Sequence, residues 1–444
     1  MVKVITYGTY DLLHYGHVRL LERAKALGDY LIVGVTADDF DKTRGKINVQ
    51  QSLTERIEAV RKIGIADEII VEEYEGQKID DIIKYDIDIF TVGSDWVGVF
   101  DYLKEYCQVV YLERTQGISS SEIREQKRAI NLGIVGDSNF LLKVINESDY
   151  VNGLKLSGVC TGKLQLFERK SELITSSYDK LLEISDAVYI HAHPAEHYTL
   201  TRSAILAGKH VLCESPIAMK KSQCEELFTL AEEHDVILTE ALRTAYSTAY
   251  HRLLLMIKSG RIGNVISVDA VCTSLKDVAE LEKMELESVW NSITAWGPTA
   301  LLPIFQLLGT EYTSCDMIAH YIDEEQTFDI FTKAAFVYPK AVASMKVGNG
   351  VKSEGELIIS GTKGYVYVPA PWWKTDYFEI RYENPVDNKR YFYQLDGEGI
   401  RNQLASFVKS IEIGKQGAAI SKDVSVKIAE IMEIFGDKKT VKSI

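Results

Sequence analysis

His14 and His17 stand three residues apart around Gly16, where an apolar run, Val2-Lys3-Val4-Ile5-Thr6-Tyr7, gives way to a helical pattern from Val18 to Lys25. The turn between is Gly8-Thr9-Tyr10-Asp11-Leu12-Leu13. A β-branched strand that breaks at glycine and restarts as a helix puts both imidazoles at a helix N-terminus, where backbone N–H groups favour anions. Two such rings, beside a glycine that admits a ligand to the backbone, can donate hydrogen bonds to a phosphate chain as charge builds on it. A second anion-binding pattern lies in Arg114-Thr115-Gln116-Gly117-Ile118-Ser119-Ser120-Ser121. Ser119 with Glu122 is a capping box that starts a helix beside the Arg114 guanidinium, so helix start and phosphate grip share the same atoms. The plainer readings are half of a metal site for the histidines and a solvated loop for Arg44-Gly45-Lys46. Zinc needs three or four ligands, and no further Cys or His lies near the pair in sequence.

These groups need a frame that brings them together. Apolar runs at Tyr30–Val35, Glu68–Val71, Ile87–Val92 and Val109–Leu112 alternate with helical patterns at Gln51–Ile63, Gln77–Lys84 and Val99–Tyr106. That alternation predicts an α/β fold with a parallel, doubly wound sheet. Ligands of such sheets sit at the carboxyl ends of the strands, where His14, Asp95 and Arg114 each fall.

The His14-Tyr15-Gly16-His17 segment resembles the His-x-Gly-His signature of the nucleotidyltransferase superfamily, and its surroundings resemble the glycerol-3-phosphate cytidylyltransferase family. Arg114–Ser119 is similar to that family's Arg-Thr-x-Gly-Ile-Ser block. Gly93-Ser94-Asp95-Trp96 and Arg44-Gly45-Lys46 also match, so the resemblance covers roughly residues 1–128. It implies transfer of CMP from CTP, with Mg2+, to a small polyol phosphate, foremost glycerol 3-phosphate, for a cell-surface polymer such as teichoic acid. By the same resemblance His14 and His17 stabilise charge on the triphosphate. Lys46 and Arg44 neutralise its phosphates, and Arg114 with Thr115, Gly117, Ile118 and Ser119 grips it from the other side. Gly8, Thr9, Tyr10 and Trp96 line the site. Asp11 and Asp95 position substrate or Mg2+, Asp95 alternatively reading the nucleotide. One departure is Gly64, where the family can carry an arginine near the acceptor, which leaves room for glycerol 2-phosphate or another acceptor. The rival from another class is a scaffold that binds CTP or a CDP-alcohol without turnover.

The chain has 444 residues, 46% of them hydrophobic, enough for two or three cores. Its net charge of −14 argues against a nucleic-acid partner. There is no run of eighteen apolar residues, no signal-peptide pattern and no Cys-x-x-Cys among six scattered cysteines. Together these predict a cytoplasmic protein without a membrane span.

A fresh strand and turn, Ala129-Ile130-Asn131-Leu132-Gly133-Ile134-Val135-Gly136, follows the charged stretch Arg124–Arg128. From there the chain resembles the Gfo/Idh/MocA oxidoreductases through Asp186–Ile190, Ala207–Pro216, Gly260–Gly263, Gly361–Gly364 and Glu398–Arg401. The resemblance implies a Rossmann-like domain over 129–250 and an α+β domain with a large open antiparallel sheet over 251–444, after a first domain at 1–128. It also implies a homodimer or higher homo-oligomer through that sheet, and NAD(P) held at Gly133, Gly136, Glu214, Ser215 and Pro216. The departures cluster on function. Ser138 replaces the second fingerprint glycine, Asp137 aims a carboxylate at the pyrophosphate, and Val159–Lys163 lacks the ribose-holding acid. Ser215 replaces the Glu-Lys-Pro lysine, and Ala295–Thr299 replaces Asp-x-Gly-x-His. Three readings follow: a retired oxidoreductase kept as scaffold, a binding module for a nucleotide or polyol phosphate, or a reductase with altered chemistry drawing on His191, His193 and His197. The plain alternative for those histidines is that His197 caps a helix and the others fill space.

Overall fold

The computed structural model describes residues 1–37, 49, 51–73, 76–113, 129–163, 174–175, 177–277, 290–393, 395–415 and 419–444. The chain divides into two compact units, Met1–Ala129 and Ile130–Ile444.

In the first unit β1 (Lys3–Gly8), β2 (Tyr30–Thr36), β3 (Glu68–Glu72), β4 (Ile89–Gly93) and β5 (Gln108–Leu112) form a parallel sheet in the order β3-β2-β1-β4-β5. The strands bury both faces, so apolar residues run almost without polar interruption. Val4, Leu31, Val33 and Val35 meet Leu21 and Ala24 of α1 (Tyr15–Lys25) and Val60 of α2 (Leu53–Ile63). Ile5, Tyr7, Ile32 and Phe90 meet Ile82 of α3 (Gln77–Tyr85) together with Phe100 and Leu103 on the opposite face. Strand order reverses between β1 and β4, which opens a crevice at their carboxyl ends.

Local boundaries follow capping chemistry. The second helix begins at Leu53 rather than Gln51, because Ser52 accepts from the Glu55 N–H at 3.3 Å while Glu55 accepts from the Ser52 N–H at 2.7 Å. It ends at Gly64, whose φ of 71° is left-handed and costs a glycine nothing. The helix expected over Val99–Tyr106 is instead a short 3-10 run, Asp101–Glu105, preceded by Gly98 at a φ of 86°.

The second unit opens with β6 (Ile130–Gly136), α4 (Phe140–Ser148), β7 (Leu154–Cys160), β8 (Ile174–Thr175), β9 (Ala187–His191), α5 (Pro194–Leu206), β10 (His210–Glu214) and β11 (Leu238–Ala241). These strands make a parallel Rossmann-like sheet in the order β11-β10-β9-β6-β7-β8. A nine-stranded sheet follows from β12 (Val265–Thr273), β13 (Ser314–Tyr321), β14 (Asp329–Val337), β15 (Val342–Gly348), β16 (Leu357–Gly361), β17 (Tyr365–Val368), β18 (Tyr377–Arg381), β19 (Lys389–Phe392) and β20 (Val441–Ser443). It is mostly antiparallel, as the sequence suggests, but mixed: β12 runs parallel to β15 and β13 to β20. Inward residues such as Met317, Ala334, Phe336 and Met345 pack against Leu301, Leu302 and Phe305 of α6 (Ser292–Leu308). A further helix, α7 (Lys422–Gly436), sends Ile428 and Met432 into this core and Ala429 into that of the Rossmann-like sheet.

Asp329 is fully buried at the start of β14, accepting from Thr332 Oγ1 at 2.6 Å and from the Ile293 N–H at 3.2 Å. Burial lifts its carboxyl to about 6, against those hydrogen bonds. The folded state therefore holds this proton more tightly than the unfolded chain, so its stabilising contribution is complete below about 4 and is lost as pH rises through 6. Asp329→Asn keeps the shape and removes the charge, so its melting temperature should gain on the parent between pH 4 and 6 and keep that gain above. Parallel melting curves from pH 4 to 8 would refute the buried carboxylate as the cause.

Candidate functional site

The strand β1 delivers Gly8 to the switch point, and the next residues turn sharply. Tyr10 and Leu12 both take left-handed backbone, with φ of 53° and 47°, a conformation that costs a non-glycine residue roughly 1 kcal/mol or more. Tertiary bonds hold it there. The Tyr10 ring is buried with Val4 and Leu21. Gln51 pins the turn from the start of α2: its N–H donates to Asp11 Oδ1 at 3.0 Å and its side-chain oxygen accepts from the Leu12 N–H at 2.8 Å. Arg56, fully buried, donates to the carbonyls of Thr9 at 2.7 Å, Thr36 at 2.8 Å and Gln51 at 3.1 Å.

On this platform α1 starts with an unusual capping box built from two histidines. His14 Nδ1 accepts from the Gly16 N–H at 3.1 Å, and His17 Nδ1 accepts from the His14 N–H at 3.4 Å. The rings stack with centroids 4.0 Å apart, and Tyr10 meets His17 edge-on at 5.6 Å. Because Nδ1 of each ring accepts, the neutral tautomer carries its proton on Nε2. An Nε2–H on each stacked ring therefore stands at the N-terminus of α1, a pair suited to adjacent oxygens of an anion.

The structure brings Gly8, Thr9, Tyr10, Asp11, His14 and His17 into one loop and helix start at the sheet's switch point. Asp95 and Trp96 belong to the turn Ser94–Trp96 after β4, with the Trp96 ring against Phe100 at 5.8 Å. Arg44, Lys46, Arg114, Thr115, Gly117, Ile118 and Ser119 lie outside the described residues. Gly64 has a backbone reason of its own as the left-handed end of α2. Sequence reasoning missed Arg56 and Gln51. The signal was available: Arg56 sits among Leu53, Ile57 and Val60 on the apolar stripe of an amphipathic helix, where an arginine has to find buried partners.

A second cleft lies in the second unit, lined by Phe140, His191, Glu214, Arg243, Lys374 and Glu398, with Trp290, Trp296, Trp373 and Thr299 as further wall. The residues expected to hold a nicotinamide dinucleotide are present in part. Gly133 packs under Leu181 and Ser185, and Gly136, at a φ of 143°, has no room for a Cβ beside the His191 carbonyl. The rest do not fit the cofactor. Ser138 Oγ takes the Phe140 N–H at 3.2 Å, a donor at the helix start that a pyrophosphate would need. Asp137 does not face that anion as expected; its Oδ1 accepts from Thr161 Oγ1 and the Gly162 N–H, both at 2.7 Å, tying β6 to β7. Ser215, next to Pro216, lines the cleft, but its hydroxyl is engaged by buried Glu240, which also accepts from Ser425 Oγ at 2.5 Å. Burial raises the Glu240 carboxyl. The three histidines part company. His193, not His197, is the cap of α5, accepting from the Ala195 N–H at 3.4 Å. His197 is buried against the carbonyls of Pro216 and Ala192, and burial pushes it down to about 4. His191 fills the cleft floor, its ring 5.1 Å from Phe140 and 5.6 Å from Trp290. Glu214 bonds Tyr189 and sits 3.8 Å from His191; burial raises its carboxyl, but His191 and Arg243 outweigh this and hold it below the usual range.

Residues 5–126 match the family described as cytidylyltransferase-like, and residues 130–242 match the oxidoreductase family with an NAD-binding Rossmann fold. The glycerol-3-phosphate cytidylyltransferase of Bacillus spizizenii is 52% identical over 130 residues, 29% of this chain and 100% of that protein. The same enzyme of Staphylococcus aureus is 48% identical over 126 residues, 28% of this chain and 95% of that protein. Among solved structures, a 3-ketoreductase from Actinomadura kijaniata superposes with a TM-score of 0.62 at 16% identity, covering 71% of this chain and 99% of its own. That likeness is one of fold. Among the described residues no helix is long and apolar enough to cross a membrane.

Replacing Arg56 by methionine leaves the buried carbonyls of Thr9 and Thr36 and the part-buried carbonyl of Gln51 without this donor. We expect a loss of roughly 3 kcal/mol from the first unit in urea unfolding, with the cost of unmade buried hydrogen bonds as its source. A loss below about 1 kcal/mol, the net worth of one ordinary hydrogen bond, would mean that the turn holds itself.

Proposed function

Because the chain belongs, through its first unit, to the glycerol-3-phosphate cytidylyltransferase family, we propose that it transfers CMP from CTP to a small polyol phosphate, glycerol 3-phosphate foremost. The acceptor's phosphate oxygen attacks the α-phosphorus of CTP in line. A new P–O bond forms as the bond to the bridging oxygen breaks, and pyrophosphate leaves with the negative charge. No covalent enzyme intermediate is required. Catalysis is then positioning and charge stabilisation.

The observation that carries this reading is the stacked histidine pair whose backbone bonds orient two Nε2–H donors at a helix start. Donors fixed before the reaction cost no reorganisation as charge develops. Asp11, bonded to the Gln51 N–H, acts by positioning the turn. Among the described residues no group of three or more His, Cys, Asp or Glu is arranged to hold a metal ion, so we assign Mg2+ to the triphosphate itself. Lys46, Arg44, Arg114, Thr115 and Ser119 are proposed as phosphate ligands on the family pattern. Since Gly64 terminates a helix, its presence calls for no altered acceptor. The product is read as CDP-glycerol feeding a teichoic-acid-like polymer in the cytoplasm, from a subunit that dimerises.

Pyrophosphate release from CTP and Mg2+ should be fastest with glycerol 3-phosphate across a panel that includes glycerol 2-phosphate and ethanolamine phosphate. Release with none of them would sink the assignment. His14→Ala or His17→Ala should each lower kcat about 100- to 1,000-fold, as loss of one transition-state donor does. Native melting with unchanged kcat would remove that histidine from the chemistry.

A further inference from the structure

The mouth of the second cleft gathers more positive charge than its fold requires. Lys143 of α4, Arg243 and Lys374 converge on the single carboxylate of Glu398, at 3.2, 3.4 and 3.0 Å. Glu214 is the deeper acid; it bonds Tyr189, sits 3.8 Å from His191 and shares the field of Arg243, whose direct ion pair is with Glu398. In a chain of net charge −14, three cations around one carboxylate stand out. The Arg243 guanidinium is fixed over the Phe140 ring at 4.6 Å, so its donors face the cleft mouth from a braced position.

Glu398 is held there against its backbone preference. It has a φ of 54°, flanked by Gly397 at 61° and Gly399 at 83°. A fourth ion pair, Arg401 to Glu147 at 2.9 Å, braces this turn, and a Cβ on Gly397 would run into Glu147. Partly exposed ion pairs contribute little stability, so three of them are a poor return for left-handed backbone. A carboxylate ringed by three cations is, however, what a site for a second anion looks like when its own side chain stands in for the ligand.

Next to this charge is a rigid aromatic wall. Trp296 and Trp373 lie 4.8 Å apart. Asn349 accepts from the Trp296 indole at 2.8 Å and donates to the Trp290 carbonyl at 3.1 Å, while Thr244 donates to the Trp373 carbonyl at 2.8 Å. Flat indole faces suit the C–H faces of a hydroxylated carbon chain. We propose that this cleft binds a phosphate monoester of a sugar or polyol, whose phosphate displaces Glu398 among Lys143, Arg243 and Lys374 while its carbon chain lies against Trp290, Trp296 and Trp373. No reaction is assigned, and the site is independent of nucleotidyl transfer in the first unit.

Of the five tryptophans, only Trp96 lies in the first unit, so tryptophan fluorescence of the full chain carrying Trp96→Phe reports on the second. Ribose 5-phosphate or glycerol 3-phosphate should give a saturable change, at least about tenfold tighter than inorganic phosphate. Lys374→Ala should weaken that binding about tenfold, as loss of a charge-assisted contact does. Glu398→Gln, which keeps the side-chain shape, should tighten it severalfold, because the competing carboxylate is gone; a purely structural Glu398 predicts the opposite. The proposal fails if neither monoester saturates, if phosphate binds as tightly as both, if Glu398→Gln weakens binding, or if NADPH binds more tightly than either monoester.

Discussion

A single buried guanidinium fixes the geometry of the first unit. Arg56 reaches three carbonyls in three places: the turn after β1, the end of β2 and the residue before the Ser52 cap of α2. Its charge is tolerated in the interior because backbone oxygens surround it. Those same bonds let Tyr10 and Leu12 adopt left-handed backbone, and that turn in turn delivers His14 as the cap of α1. The histidines inherit their orientation from a residue that stands apart from them. Without the arginine the turn would keep Gln51 and the buried Tyr10 ring but lose the bonds that tie it to the end of β2 and to the approach to α2.

The second unit keeps a Rossmann-like architecture around a cleft whose polar side chains are engaged with one another. Its two sheets keep the Rossmann-like and mixed architecture, and Gly136 keeps the close approach to β9 that the architecture demands. What changed are the side chains that would face a dinucleotide. His191 takes space on the cleft floor, Ser138 takes a helix-start donor, and the Ser215 hydroxyl is engaged by Glu240. Each change is small, yet all act on the same volume. Backbone packing and site chemistry are thus separable here: the first is set by apolar periodicity and glycine, the second by a handful of polar positions.

What the sequence discloses follows from how local each feature is. The histidine pair, the strand order class and the glycine turns depend on residues close in sequence, and spacing reveals them. Val99–Tyr106 has helical periodicity, but Gly98 in left-handed backbone overrides it and a 3-10 run forms instead. The cap of α5 fell to His193 because its position before Pro194 outranks that of His197 within the helix. Arg56 was visible only as an oddity on an apolar stripe. The cluster of Lys143, Arg243, Lys374 and Glu398 spans most of the second unit's length, and no spacing rule brings such residues together before the sheets do.

The carboxylate of Glu240, in β11, the last strand of its sheet in chain order, is closed by Ser425 from α7, and Ala429 of the same helix belongs to the same sheet's core. In order of synthesis that means the Rossmann-like half waits. Its strands emerge early, but one wall of their core comes from a helix whose Ser425 follows Glu240 by 185 residues, whereas residues 1–129 form a compact unit of their own. On the ribosome the first unit can mature while the second remains open. Shortening the chain by its final helix would therefore strike the half that precedes it by some two hundred residues, roughly as hard as the sheet it visibly covers.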